Sequence, residues 1–453
     1  MRGLAGWLKR TATGDTLVRR NPLLYGGMAA LAKRLDNAPL EERRAFTERR
    51  LRAILTIAGR TGYGRAYAGR AIEEWPLLDR QLVRDQPMSF TCGPTWLGFS
   101  AATTGTSGIP LKLWRSLRNV VNEQVRIDML LKRCGVDATA ARVAVLRGDD
   151  IKEPGDREPP FWKEANMGRR LIFSSNHLSR DTIHHFHDAL TEYAPHALAA
   201  YPTALESLCE LLRRAGLTLR IPVVVTSSEV LPTGSWHLAR EVLGARVVDY
   251  YGQAERVAFA AAFEPEVYYF LPGYAYVELQ PAGEDGDQSL YEIVGTNLWN
   301  SRMPLMRYKT GDLIRLPKKL LPGELVAICY GCAPFSGILG RQGDYLISPN
   351  GARIMGIDHI PRGVENIIRS QVIQESLERV RILVVPGPEF SDADREQLRA
   401  NAAIKLPPEM SFDVEVVEQL ERGKQSKVPF VVRRVDADPL AATAVMRQNP
   451  QGD

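Results

Sequence analysis

Apolar residues recur at helical spacing through residues 38–59, where Leu51, Ile54, Leu55 and Ile57 stand among many charges. That pattern predicts an amphipathic surface helix. The stretch 74–84, carrying Trp75-Pro76-Leu77-Leu78, reads as a loop, and Asn119–Arg133 reads as a second helix. Three short apolar runs predict buried strands: Ala141–Leu146, Ile221–Val225 and Arg246–Tyr251. They end in Arg147-Gly148-Asp149-Asp150, in Thr226-Ser227-Ser228-Glu229 and at Gly252. Helical patterns lie between or beside them at His184–Tyr193, Ala204–Ala215 and Gly234–Leu243. Strands alternating with helices predict an α/β fold with a largely parallel sheet. In such sheets ligands collect at the carboxyl ends of the strands.

From Gly273 the texture changes to alternating strands, Tyr274–Leu279, Leu290–Val294 and Arg307–Leu316, the last around a turn. The tail has its own pattern: a helix near Arg362–Glu378, a strand Val380–Val385, a helix Ser391–Ile404 and a strand Phe412–Val417. That is a compact α+β unit of domain size. The boundaries expected are residues 1–340 for a large N-terminal domain, 341–345 for a hinge and 346–453 for a small C-terminal domain. No internal repeat or low-complexity segment interrupts them.

Composition narrows the function. A chain of 453 residues has room for roughly two or three domains at about 150 residues each. It is 45% hydrophobic and 25% charged, which suits a soluble globular protein. The net charge of +5 is spread along the chain, so a nucleic-acid stripe is not expected, while a small anionic substrate fits. No apolar run has the length of a signal peptide or a membrane span. The five cysteines are odd in number and mostly far apart, which argues against a disulfide framework and for a cytoplasmic protein. A monomer or homodimer is expected. Cys329 and Cys332 form a lone C-x-x-C; zinc there needs further ligands, with Asp358 and His359 the available completers.

One segment carries concentrated chemistry. Thr103-Thr104-Gly105-Thr106-Ser107-Gly108 packs four hydroxyls and two glycines into six residues. Glycine permits close backbone approach and positive φ, and successive N–H groups can form an anion-binding nest. An ordinary polar loop has the same composition. A Walker loop needs Gly-Lys-Ser/Thr opening a helix. Here Ile109-Pro110-Leu111-Lys112-Leu113-Trp114 follows, alternating like a strand, so the segment joins strands and the Walker reading fails.

Five segments in order give the chain a resemblance. They are Thr103–Pro110, Tyr251-Gly252-Gln253-Ala254-Glu255, Tyr308-Lys309-Thr310-Gly311-Asp312-Leu313, Gly340-Arg341-Gln342-Gly343-Asp344 with Gly351-Ala352-Arg353-Ile354, and Leu420–Val431. Together they resemble the AMP-forming, adenylate-forming ligases, most of all the phenylacetate–CoA ligase family and its capsule-biosynthesis-type branch. The resemblance implies a large adenylate-forming domain with mixed and parallel sheets and a small mobile α+β domain. It implies that ATP and Mg²⁺ activate a carboxylic acid to an acyl-adenylate with release of pyrophosphate.

The same resemblance assigns roles. Thr103, Thr104, Gly105, Thr106, Ser107 and Gly108 would hold the β- and γ-phosphates. Glu255 would bind Mg²⁺; the alternative is an ion pair with Arg256. Ser228, Glu229, Tyr250, Tyr251, Gly252 and Gln253 would surround the nucleotide, and Asp312 would accept hydrogen bonds from the ribose diol. Arg341 would reach ribose or phosphates. Lys427 would neutralise charge between the α-phosphate and the attacking carboxylate; Val428 and Phe430 favour it over Lys424, which follows Gly423. His177, Tyr201, Ser228 and Tyr251 would line the acid pocket, with Glu229 and Tyr250 beside them, suiting an aryl or medium-sized acid. Coenzyme A would then take the acyl group as a thioester, with Gly351 leaving room for its arm. The alternatives are an amine acceptor giving an amide, and a nucleotide-binding scaffold without catalysis. Three positions depart from the usual pattern: Leu111 precedes Lys112 where relatives place lysine, Gly343 stands at an acidic hinge position, and Ser426 precedes Lys427.

Overall fold

A computed structural model describes residues 12–103, 111–147, 158–174, 177–178, 180–341, 346–347, 353–354, 366–421 and 429–435, with residues 151, 349, 357, 360, 361 and 364 beside them. The chain forms two compact units, Met1–Leu339 and Gly340–Asp453.

The first unit opens with helices α1 (Ala12–Arg19), α2 (Tyr25–Asp36) and α3 (Leu40–Ala58). In α3, Glu41 and Glu42 occupy the first turn, where the helix dipole favours acids. Its apolar stripe, Phe46, Leu51, Ile54 and Ala58, packs in one cluster with Val121, Leu298 and Trp299. Phe46, Leu51 and Ile54 each contribute about 1.5–3 kcal/mol on burial. The stretch read as a loop, 74–84, contains helix α4 (Arg80–Asp85). Asp79 caps it, its side chain accepting from the Gln81 N–H. Before it, Leu78 forms a parallel bridge to Tyr308. A proline and two leucines in a row obscured both features.

Strands β1 (Phe99–Thr103) and β2 (Leu111–Arg115) pair antiparallel, flanking the hydroxyl-rich segment. Ser116 then caps helix α5 (Leu117–Arg133). The main sheet begins with β3 (Val143–Arg147), β4 (Trp162–Ala165) and β5 (Arg170–Ser174). Helix α6 (Ile183–Tyr193), β6 (Ala197–Ala200), helix α7 (Pro202–Arg214), β7 (Val223–Ser227), helix α8 (Thr233–Leu243) and β8 (Arg246–Gly252) continue the alternation. Then come β9 (Phe259–Ala262), β10 (Val267–Phe270), β11 (Ala275–Asp285), β12 (Gln288–Asn297), β13 (Tyr308–Pro317), helix α9 (Glu324–Cys329) and β14 (Phe335–Arg341). These strands make one 12-stranded sheet in the order β11-β12-β13-β14-β10-β9-β8-β7-β6-β3-β5-β4. The pairs β3–β5, β3–β6, β6–β7 and β7–β8 are parallel. β7 is buried along its whole length, as strands covered on both faces are.

The turn expected within Arg307–Leu316 is a bulge in a continuous strand. Glu292 pairs with Leu313 and Val294 with Lys309, so Thr310, Gly311 and Asp312 stand opposite Ile293. Gly311, at φ 74°, supplies the left-handed turn this needs.

The second unit holds a two-stranded sheet, β15 (Leu346–Ile347) and β16 (Arg353–Ile354). Its four-stranded sheet has the order β19-β18-β17-β20. The strands are β17 (Ile367–Gln374), β18 (Arg379–Pro386), β19 (Ser411–Val416) and β20 (Val431–Arg433). Helix α10 (Asp392–Lys405) starts with a capping box between Ser391 and Asp394. The helix expected near Arg362–Glu378 is a strand over Ile367–Gln374, rich in β-branched residues that fit a pleated surface. Gln371 and Gln374 look surface-polar yet are fully buried, bonding the Glu421, Pro429 and Ile347 backbone. No helix among the described residues is long and apolar enough to cross a membrane.

Candidate active site

The parallel strands share one direction, so their carboxyl ends form one edge. Register places Arg147 beside Ser174 and Ser227 beside Tyr250. Tyr201, Ser228–Glu229 and Tyr251–Glu255 follow directly from that edge. Ser228 adopts φ 75°, unusual for a residue with a side chain, and both Ser228 and Glu229 are exposed. Tyr250 stacks on Phe259 at 5.1 Å between centroids.

Tyr251 and Asp312, 61 positions apart, meet at this edge: the Tyr251 hydroxyl donates to Asp312 Oδ2 at 2.6 Å. Gln253 Nε2 donates to the same hydroxyl at 2.5 Å, and its Oε1 accepts from the Ala258 N–H at 3.3 Å. Burial, then the Asp312 charge, hold the Tyr251 phenol well above its ordinary pKa. It therefore stays a donor, and the Asp312 carboxylate is held in one orientation. The bulge that carries Asp312 is tied from below: Thr310 Oγ1 donates to the Ile293 carbonyl at 2.8 Å, and the Gly311 N–H donates to Glu292 Oε1 at 3.2 Å.

Glu255 is 4% exposed. Its Oε1 accepts from Arg80 Nη1 at 2.7 Å and from the Tyr308 hydroxyl at 2.9 Å. Its Oε2 is buried and, among the described residues, has no hydrogen-bond partner. The Arg256 alternative fails because that side chain turns the other way, at φ 56°, to donate to the Asn119 carbonyl at 3.0 Å, with Glu123 3.6 Å away. The carbonyls of residues 254–256 are fixed as well. Arg115, just past the hydroxyl-rich segment, donates to the Ala254 carbonyl at 2.7 Å. Asn297 Nδ2 donates to the Glu255 and Arg256 carbonyls at 3.3 and 2.7 Å. Gly295 lets β12 pass this chain, since a Cβ there would lie 2.0 Å from the Val257 carbonyl oxygen.

His177 sits inside the wall. It is 7% exposed, stacks on Phe161 at 5.3 Å, and shares a 2.8 Å hydrogen bond between Nδ1 and Ser174 Oγ. Tyr201 stands at the N-terminus of α7, with the Arg147 guanidinium 5.8 Å from its ring. Behind the edge, Asp249 is buried and accepts from Thr226 Oγ1 and the Tyr268 hydroxyl, each at 2.5 Å. Burial raises its carboxyl to about 6, against the pull of those donors.

Several expected site residues lie outside the described residues: Thr104, Gly105, Thr106, Ser107, Gly108, Gln342–Asp344, Gly351, Lys424 and Lys427. Thr103 ends β1 and Arg341 ends β14. Among the described residues no three His, Cys, Asp or Glu side chains are placed to share a metal. Burial pushes the Cys329 thiol up to about 12, and Cys332 is exposed. Sequence reasoning missed Arg80, Arg115, Asn297, the Asp249 row and the role of Tyr308. Tyr308 was in view, next to the Thr310–Asp312 segment, but nothing in a single sequence pairs it with Glu255.

Edge and sheet together define the class: this is the fold of the adenylate-forming ligases, a large α/β unit followed by a separate C-terminal one. Particular proteins bear this out. A 2-hydroxyisobutyryl-CoA ligase, captured after adenylation with an acyl-AMP, superposes with TM-score 0.57 at 15% identity, covering 90% of this chain and 92% of that one. The acyl acid amido synthetase GH3.15 superposes with TM-score 0.54 at 13% identity, covering 89% and 94%. Protein CapK of Staphylococcus aureus is 20% identical over 343 residues, 74% of each chain. Residues 346–434 match the CapK C-terminal domain.

Proposed function

We propose that this protein activates a carboxylic acid with ATP, releasing pyrophosphate, and passes the acyl group to coenzyme A. The observation that carries the reading is the pair of prepared carboxylates beside one strand edge. Asp312 is oriented by Tyr251, and Glu255 is buried with one oxygen idle. A carboxylate held by a tyrosine is suited to accepting hydrogen bonds from a ribose diol. A buried carboxylate with an open oxygen suits a hard divalent cation, which takes oxygen ligands. Glu255 would hold that cation, and Mg²⁺ would supply neutralisation of the triphosphate.

The remaining groups follow from the reaction. The attacking acid and the polyphosphate are both anionic, so alignment and charge neutralisation do most of the work. Thr103–Gly108 would grip the leaving pyrophosphate. Ser228, Glu229, Tyr250, Gly252 and Gln253 would frame the nucleotide. Tyr201, with Ser228 and Tyr251, would border the acid, and His177 would shape that wall from behind. Arg341, at the end of β14, would reach ribose or phosphates, and Lys427 would meet the α-phosphate. Phenylacetate–CoA ligases remain the branch the motifs resemble most.

Incubation with ATP, Mg²⁺ and a panel of carboxylic acids, followed by mass spectrometry, tests this. The expected product is an acyl-adenylate with at least one acid, converted by coenzyme A to a thioester. An amide formed from an added amine, with coenzyme A inert, would replace the thiol acceptor by an amine. No adenylate with any acid would remove the reaction.

A further inference from the structure

Glu255 is gripped unevenly. Two donors converge on Oε1, while Oε2 is buried with none among the described residues. Leaving a charged oxygen without a partner away from water is costly unless a ligand meets it. The cationic donor to Oε1 is Arg80, whose side chain is 29% exposed against 1% for Glu255. The pair thus faces outward through the arginine.

Backbone geometry puts Arg80 there. The Leu78 N–H donates to the Arg307 carbonyl at 2.9 Å, and the Lys309 N–H donates to the Leu78 carbonyl at 3.0 Å. Leu78 therefore runs beside Tyr308, and Arg80, two residues on, opens α4. The two donors on Oε1 come from the two sides of one bridge. Arginine also brings more than charge, since its planar fork of five N–H donors can keep a carboxylate and serve a phosphate together.

We propose that Arg80 is a phosphate-binding residue of this site. It keeps Oε1 of Glu255, Oε2 would hold the divalent cation, and the Arg80 guanidinium would meet the β- and γ-phosphates. The inference rests on the ATP reading above and adds a residue to it.

The test is calorimetric titration of the full-length chain with Mg²⁺ and inorganic pyrophosphate, and separately with AMP. Wild type binds both. Arg80→Gln weakens pyrophosphate by about tenfold or more, the scale of a lost hydrogen bond to a charged group. AMP affinity stays within about twofold, because AMP lacks the β- and γ-phosphates. Arg80→Lys, which keeps the charge and loses the fork, falls between, and it decides the matter if Arg80→Gln does not fold. Wild-type pyrophosphate affinity in the variants, or an equal loss of both ligands, overturns the role of Arg80 and leaves the ATP reading standing. A wild-type chain that binds neither ligand overturns both.

Discussion

At the scale of single residues, the site is defined by how its carboxylates are held. Asp312 receives the Tyr251 hydroxyl, which is kept protonated by burial and by Asp312 itself. Tyr251→Phe keeps the ring and removes that donor. Expected is a loss of roughly fivefold to tenfold in AMP affinity, the worth of one such hydrogen bond, with pyrophosphate affinity unchanged. Unaltered AMP affinity in calorimetry would mean that Asp312 does not depend on Tyr251 for its orientation. Tyr251, Glu255 and Asp312 were legible because each sits in a short motif. Arg80 and Arg115 were not, because a single arginine gives no sign in sequence that it will pair with Glu255 or with the Ala254 carbonyl, more than a hundred residues away.

At the scale of elements, periodicity located most of the described helices and, to within a few residues, three of the five parallel strands of the main sheet, β3, β7 and β8, but not β5 and β6. It failed where polarity and burial part company. Gln371 and Gln374 made a buried strand look like a polar helix face, and the bulge at Thr310–Asp312 made one strand look like two. The row Thr226–Asp249–Tyr268 is likewise invisible in sequence. Thr226 and Asp249 are register partners across β7 and β8, the strands that lead to Ser228 and Tyr251. Native Asp249 keeps its proton up to about pH 6, while the ordinary value is 3.8. The native state thus binds more protons between those values, and the stability this group contributes is full below the lower one and is lost as pH rises through the upper. Asp249→Asn removes the titration. Thermal melts should therefore show wild type losing stability relative to the variant between pH 4 and pH 7, by at most a few kcal/mol. Parallel curves would contradict this.

At the scale of the whole molecule, the class of fold was legible from the alternation of strands and helices and from motif order. The 12-stranded extent of the sheet was not, since β4, β5, β6 and β9 are short or compositionally plain. The chain's likeness to an acyl-AMP-bound ligase and to an amido synthetase is one of fold, at 15% and 13% identity. Of the two lysines in the stretch 423–428, Lys427 is the one proposed to meet the α-phosphate. Adenylate formation is the claim on which all the roles hang, and exchange of labelled pyrophosphate into ATP reads it without knowledge of the acceptor. With Mg²⁺ and a panel of carboxylic acids, the wild-type chain is predicted to exchange with at least one acid, Lys424→Ala to retain that exchange, and Lys427→Ala to lose it. Silence of the folded wild-type chain across the whole panel would contradict the account.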